Sequence, residues 1–444
     1  MTVTYHLELA WLGGDHAEAD VAVEVDGDRI VTVIPGATAR PDVIRLSGLT
    51  LPGLANAHSH AFHRALRGRT HGGVGSFWTW RDQMYGVAQR LTPDSYLALA
   101  RATFAEMVLA GITCVGEFHY LHHQAAGTPY DDPNAMGRAL IDAARDAGLR
   151  ITLLDTCYLH GGIDLAPNEV QRRFSDLRAD TWAERVDALR SLEADDVRIG
   201  AAIHSVRAVD PDAIATVAAW ARHHAAPLHA HVSEQPAENH ACLEHYALTP
   251  TELLAERGAL DKRFTAVHAT HLTDHDRRLL GADQCTACFC PTTERDLADG
   301  IGPARALMDD GARLSLGSDS HAVIDLLEEA RAVEMHERLM SNVRGNIGAA
   351  ALLTAATADG HASLGWAQAG RIEVGAIADL VSVRLDTVRT AGIDAQSALD
   401  GVVFAATAGD VHHVVAGGRV LVRDGAHVRI DVSAALLRSI GALS

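Results

Sequence analysis

At 444 residues the chain exceeds the ~250–300 at which one hydrophobic core usually stops growing, so it holds either a large α/β barrel with a small appendage or two to three ordinary domains. With 48% hydrophobic and 21% charged residues, general disorder is excluded. Lys+Arg 38 against Asp+Glu 57 leaves −19 at pH 7, which argues against nucleic-acid partners and against a polybasic membrane anchor.

No apolar run reaches the ~18 residues of a membrane span. The opening MTVTYHLELAWLGGDHAEAD lacks the cationic start and continuous apolar core of a signal peptide, so a cytoplasmic protein is expected. Six cysteines are too few for a disulfide scaffold. Cys285, Cys288 and Cys290 cluster in CTACFCP. That cluster reads either as a metal or redox site or as a buried strand using Cys as a small hydrophobe, and its apolar flanks favour the strand.

Residues 1–50 read as short strands: VAVEVDGDRIVTVIP alternates with period two and is broken by Asp-Gly, a hairpin signal. The C-terminal stretches RIEVGAIADLVSVRL and VHHVVAGGRVLVRDGAHVRI read the same way. Between them, eight short apolar runs alternate with segments of helical spacing such as 95–111 and 211–225. The runs are LANAHSH, ITCVGEFHY, RITLLDTCYL, VRIGAAIHS, PLHAHVSE, FTAVHATHL, QCTACFCP and RLSLGSDS. The expectation is a (β/α)8 TIM-like barrel over 51–366, with a small β-sandwich domain built from 1–50 and 367–444.

The runs start apolar and end polar, on His58 and His60, His119, His204, His231, His268 and Asp319. A parallel barrel places its active site at the C-terminal strand ends, where these residues fall. Residues i and i+2 of a strand face one side, so His58 and His60 can share a metal. His231 is favoured over His229 because Glu234 follows three residues later, where a loop carboxylate can serve as general acid/base without binding the metal. Each residue alone has a plain alternative: polar strand ends for the histidines, a solvated loop carboxylate for Glu234, a helix N-cap for Asp319. Their joint placement at strand ends favours a metal centre of neutral imidazoles and a carboxylate.

PGLANAHSHAFHRAL, HAHVSEQ, the His268 strand, LGSDS and GRIEVGAIADLVSVRL resemble the amidohydrolase superfamily. The resemblance implies one divalent metal, zinc by preference, held by His58, His60, His231 and Asp319, with Glu234, His268 and Asp319 catalytic. Binuclear members bridge two metals through a lysine ending the fourth strand. The only lysine here, Lys262, precedes the sixth, so a single metal is expected.

Within the superfamily, SFWTWRDQMY (76–85), GEFHYLHH (116–123), HSVRAV (204–209) and CFCPTTERDLADG (288–300) resemble the formimidoylglutamate deiminase family. That resemblance implies hydrolysis of N-formimino-L-glutamate to N-formyl-L-glutamate and ammonia in histidine degradation. It places Arg81, Tyr120, His204 and Arg207 against a substrate with two carboxylates, which suits the planar Arg fork. One departure is His63, in HSHAFHRA, where the family pattern has Gln; both can donate a hydrogen bond, with different reach. His119, His122 and His123 read as structural. A deaminase of a nucleobase or guanidino compound, and an inert barrel acting as a scaffold, are the competing readings. A homodimer is expected as the commonest assembly.

Overall fold

The computed structural model describes residues 2–70, 75 and 77–443; Ser76, which opens the SFWTWRDQMY string, lies outside the described residues. Four N-terminal strands come first: β1 (Thr2–Trp11), β2 (Ala17–Asp26), β3 (Arg29–Ile34) and β4 (Ile44–Pro52). Their alternation puts Tyr5, Leu7, Val21, Val23, Val25 and Leu46 on a shared buried face.

All eight apolar runs form strands: β5 (Leu54–Ser59), β6 (Ile112–His119), β7 (Arg150–Cys157), β8 (Val197–Ile203), β9 (Leu228–Val232), β10 (Phe264–His268), β11 (Thr286–Phe289) and β12 (Arg313–Leu316). They pair in parallel in chain order, and a bridge between Ser59 and Asp319 closes β12 onto β5. The strands are buried nearly throughout, as expected of a barrel covered by helices. The two helical stretches read from the sequence form at Pro93–Leu109 and Pro211–His223. Each has Pro in its first turn, and Thr92 and Asp210 cap the free N–H groups.

The chain then returns to the small sheet through β13 (Leu380–Val383), β14 (Val411–Ala416), β15 (Arg419–Arg423) and β16 (Ala426–His427). Strands from both ends join one mixed sheet in the order β16-β15-β14-β13-β4-β1-β2-β3. The sheet curls until Ile30 N–H meets the Ala376 carbonyl at 3.0 Å and Ala378 N–H meets the Asp28 carbonyl at 2.8 Å. The two faces of the expected sandwich are therefore cut from one continuous sheet. The C-terminal segment also carries helices the alternation did not announce. Val432–Gly441 packs on Pro93–Leu109, and Ala398–Ala405 packs on Leu326–Ser341, so part of the segment covers the barrel wall. The two units are tied at the N-terminal ends of the barrel strands. There Arg150 opening β7 pairs with buried Asp379, which also accepts from Thr113 Oγ1 (2.9 Å) and Gly417 N–H (2.8 Å). No helix among the described residues is long and apolar enough to cross a membrane.

Candidate active site

Four strands deliver the polar cluster at the C-terminal mouth of the barrel. His58 and His60 leave β5 on one face, while Ser59 between them turns outward to donate to Glu117 Oε2 at 2.6 Å. His231 comes from β9, His268 ends β10, and Asp319 follows β12. Asp319 Oδ1 lies 3.4 Å from the Nε2 atoms of both His58 and His60, and His231 Nε2 lies 3.2 Å from His58 Nε2. His268 Nε2 is 3.8 Å from the other Asp319 oxygen and 3.7 Å from Glu234 Oε1. Gly317 sits behind this cluster because a Cβ there would come within 2.8 Å of both His58 Cβ and Cys290 Sγ. Three residues at the strand ends, Ser233, His268 and Asp319, take left-handed backbone with φ of 52°, 67° and 39°. Such strain persists where surrounding structure over-determines it, as it does around functional groups.

The donor set fits a cation. His60 Nδ1 donates to the Phe118 carbonyl at 2.9 Å, and His231 Nδ1 donates to the His204 carbonyl at 2.8 Å. In the neutral ring each therefore presents a bare Nε2 lone pair. Burial holds the His58, His60 and His231 pKa values below the ordinary imidazole value, so neutral rings are what the site contains. Burial would raise Asp319, but His58, His268 and His60 hold it well below the usual carboxylate range. Lone pairs facing lone pairs at 3.4 Å repel unless a cation lies between them. Donors on a tetrahedral ion with bonds of ~2.0–2.1 Å stand about 3.3–3.4 Å apart. His229, the alternative to His231, points to the Ser363 carbonyl at 3.1 Å instead.

Above the cluster opens a cavity of about 370 Å³ lined by His60, His231, His268, Asp319, Glu234 and an aromatic wall. His63, Arg81, Tyr120, His204 and Arg207 all line it. His63 is buried, with Nε2 3.0 Å from the Tyr120 hydroxyl and Nδ1 without a partner among the described residues; burial lowers its pKa to about 3. Arg81, on the helix Phe77–Arg90, lies 4.6 Å over the Trp78 ring, and its Nε is buried with no hydrogen-bond partner among the described residues. His204 stacks edge-on to Tyr158 at 4.4 Å.

Arg207 differs from the simple carboxylate clamp expected of it. Its Nε donates to Glu238 Oε2 at 3.2 Å and its Nη2 stands 3.6 Å from Glu234 Oε2. Glu238, on the helix Pro236–Tyr246, was not identifiable from spacing, because it reaches the site only through the fold of that helix over β9. Tyr158 also went unread, although it follows β7 and the strand-end rule points to it.

The electrostatics separate His268 and Glu234 from His58, His60 and His231. Burial alone would lower His268, yet Glu234, Glu294 and Asp319 together raise it well above the usual imidazole value. Burial raises Glu234, with His268 and Arg207 pulling the other way. His119, His122 and His123 lie outside the cavity: His122 Nε2 donates to the Thr156 carbonyl at 2.9 Å, and His123 pairs with Asp176 at 3.0 Å. Cys288 and Cys290 pack with Ala57 and Val267 in a small buried cluster, and all six cysteines are free, in keeping with a buried strand.

Residues 49–421 match the model of the amidohydrolase family. A formimidoylglutamate deiminase from Pseudomonas aeruginosa is 36% identical over 94% of both chains. A 5-methylthioadenosine/S-adenosylhomocysteine deaminase from Natronomonas pharaonis is 30% identical over 91% of this chain and 89% of its own. The crystal structure of an amidohydrolase from Brucella melitensis superposes with a TM-score of 0.92 at 33% identity, over 99% of each chain.

Proposed function

The chain belongs to the amidohydrolase family and is a hydrolase acting on carbon–nitrogen bonds, and on that premise we propose that it is a metal-dependent deiminase hydrolysing N-formimino-L-glutamate to N-formyl-L-glutamate and ammonia. The observation that carries this reading is the placement of two guanidinium groups, Arg81 and Arg207, on the wall of a cavity floored by the histidine–aspartate cluster. A neutral flat substrate has no use for two such cations, whereas a compound with two carboxylates does. The 36% identical deiminase relative supports the same substrate.

His58, His60, His231 and Asp319 would hold one divalent ion, zinc by donor type. Bound there, the ion acidifies a water and polarises the substrate. Arg81 takes one carboxylate by charge-assisted hydrogen bonds, and Arg207, steadied by Glu238, takes the other with Tyr120 and His204. The aromatic wall and Met84 shield the reaction from bulk water. Water oxygen attacks the formimino carbon as Asp319 accepts its proton, with His268 Nε2 holding the attacking oxygen by a hydrogen bond. Glu234, within 3.7 Å of His268, relays that proton and then the hydroxyl proton to the departing nitrogen, so both protons of the water leave with it. The carbon–nitrogen bond breaks, ammonia leaves, and the carbonyl of the formyl group forms. Atoms balance with one water consumed.

A second reading, a deaminase of an adenine nucleoside, draws on the stacking faces of Phe77, Trp80, Tyr85 and Tyr158 and on the 30% identical relative. The test is ammonia release by metal-analysed protein from N-formimino-L-glutamate, N-formimino-L-aspartate and 5′-methylthioadenosine in parallel. Release from the glutamate compound, lost on chelation and restored by zinc, is the expected result. Release from the nucleoside alone would overturn the deiminase reading.

A further inference from the structure

The string CFCPTTERDLADG contributes nothing to the mechanism above, yet of its two buried carboxylates, Glu294 and Asp299, the first reaches His268 from behind the cavity. Glu294 sits on the helix Pro291–Asp296 that follows β11, is 2% exposed, and does not line the cavity. Its Oε1 accepts from the Cys290 N–H at 2.8 Å and stands 3.3 Å from His268 Nδ1. The helix carrying it is pinned on both sides. Thr292 N–H donates to Glu329 Oε2 at 2.9 Å, and Thr293 Oγ1 lies 3.0 Å from Ser320 Oγ, beside Asp319.

A carboxylate only accepts, so the hydrogen of this contact belongs to Nδ1 of His268. With Nδ1 so engaged, Nε2 is the atom left facing Glu234 and Asp319, at 3.7 and 3.8 Å. The His268 backbone, at φ 67°, has left strand geometry, and the imidazole needs a partner to choose between its two ring orientations. A half-turn about Cβ–Cγ would withdraw Nε2 from the reacting water.

We propose that Glu294 is a positioning residue that locks the ring orientation and Nδ1–H form of His268, so that Nε2 stays on the reaction side. The proposal rests on reading His268 Nε2 as the group that orients the attacking water at this site. Because a single oxygen, Oε1, accepts both bonds, Glu294→Gln can preserve both while removing the charge. Glu294→Ala removes both.

The test compares wild type, Glu294→Gln and Glu294→Ala as zinc-loaded full-length protein. Ammonia release is measured on whichever substrate the wild type hydrolyses, alongside metal content and the imidazole N–H resonances of histidine-15N-labelled protein. For Glu294→Ala the expectation is a kcat loss of ~10²-fold or more, as when the orienting member of a catalytic pair is removed, with KM and bound metal unchanged. Glu294→Gln, whose amide oxygen can still accept from Nδ1, should lose clearly less, on the order of 10-fold. An exchange-protected His268 Nδ1–H resonance should be present in wild type and Glu294→Gln and absent from Glu294→Ala. If the alanine variant does not fold, Glu294→Met, which fills the space without an acceptor, takes its place. Three results overturn the proposal: near-wild-type kcat without the acceptor, a Gln variant as slow as Ala, or no protected Nδ1–H in wild type. The last needs no substrate, so it stands apart from failure of the deiminase reading.

Discussion

Glu234→Gln isolates proton transfer from metal binding. Glu234 is 5% exposed, with Oε1 3.7 Å from His268 Nε2 and Oε2 3.6 Å from Arg207 Nη2. Gln fills the same volume and leaves the four cluster donors in place. Arg207 keeps its 3.2 Å bond to Glu238, so the substrate clamp keeps its anchor. What disappears is a carboxyl that can carry a proton from the attacking water to the leaving nitrogen. A positioned general acid/base contributes ~10²–10⁴-fold, which at ~1.36 kcal/mol per decade is about 2.7–5.4 kcal/mol of barrier. The expected variant binds one metal per chain, keeps KM within about threefold, and loses kcat by that factor. A coupled ammonia assay with metal analysis on the same sample measures all three. A kcat within about tenfold of wild type at full metal content would refute the assignment of Glu234.

Arg81→Met should raise KM for a dicarboxylate by about 10–150-fold, the worth of charge-assisted hydrogen bonds of ~1.5–3 kcal/mol, with a smaller effect on kcat; steady-state kinetics measure it, and an unchanged KM would remove Arg81 from the clamp. Asp379→Asn leaves the buried Arg150 charge uncompensated where the small sheet meets the barrel, at a cost of ~3–5 kcal/mol. With an unfolding entropy of ~2.1 cal/mol/K per residue, a cooperative transition of the whole chain would shift down by about 3–5 °C in a thermal scan. An acid-side effect follows from Asp176: burial would raise its pKa, but Arg185 and His123 hold it well below the usual carboxylate range. A depressed carboxylate contributes its full stability above its unfolded pKa of ~3.9 and loses it as pH falls through the folded value. Asp176→Asn should therefore be less stable at pH 7 and show a shallower loss between about pH 4 and 3 in urea melts; equal slopes would contradict the pairing.

The barrel and the cluster at its strand ends were legible in the sequence because their signals are local. Each of the eight runs is a short apolar stretch long enough for a strand and too short for a helix, and each became one. Polar residues closing such runs stand out, since a histidine or aspartate at the end of a buried strand needs a reason to be there. That is how His58, His60, His231, His268 and Asp319 could be named from one sequence, and the structure brings all five together. His231 was favoured over His229 in the sequence because Glu234 follows it, and the structure agrees, turning His229 to the Ser363 carbonyl and His231 Nδ1 to the His204 carbonyl.

Tertiary structure alone decided the rest. Spacing alone assigns no partner to Glu238 or Glu294, which meet Arg207 and His268 only where helices fold back across the strand ends. The small domain makes the same point. Alternation announced its strands, but the curl that joins Ile30 to Ala376, and the return of Val432–Gly441 to the barrel wall, depend on contacts hundreds of residues apart. Local pattern specifies which face of an element is apolar; only the packed chain specifies what that face meets.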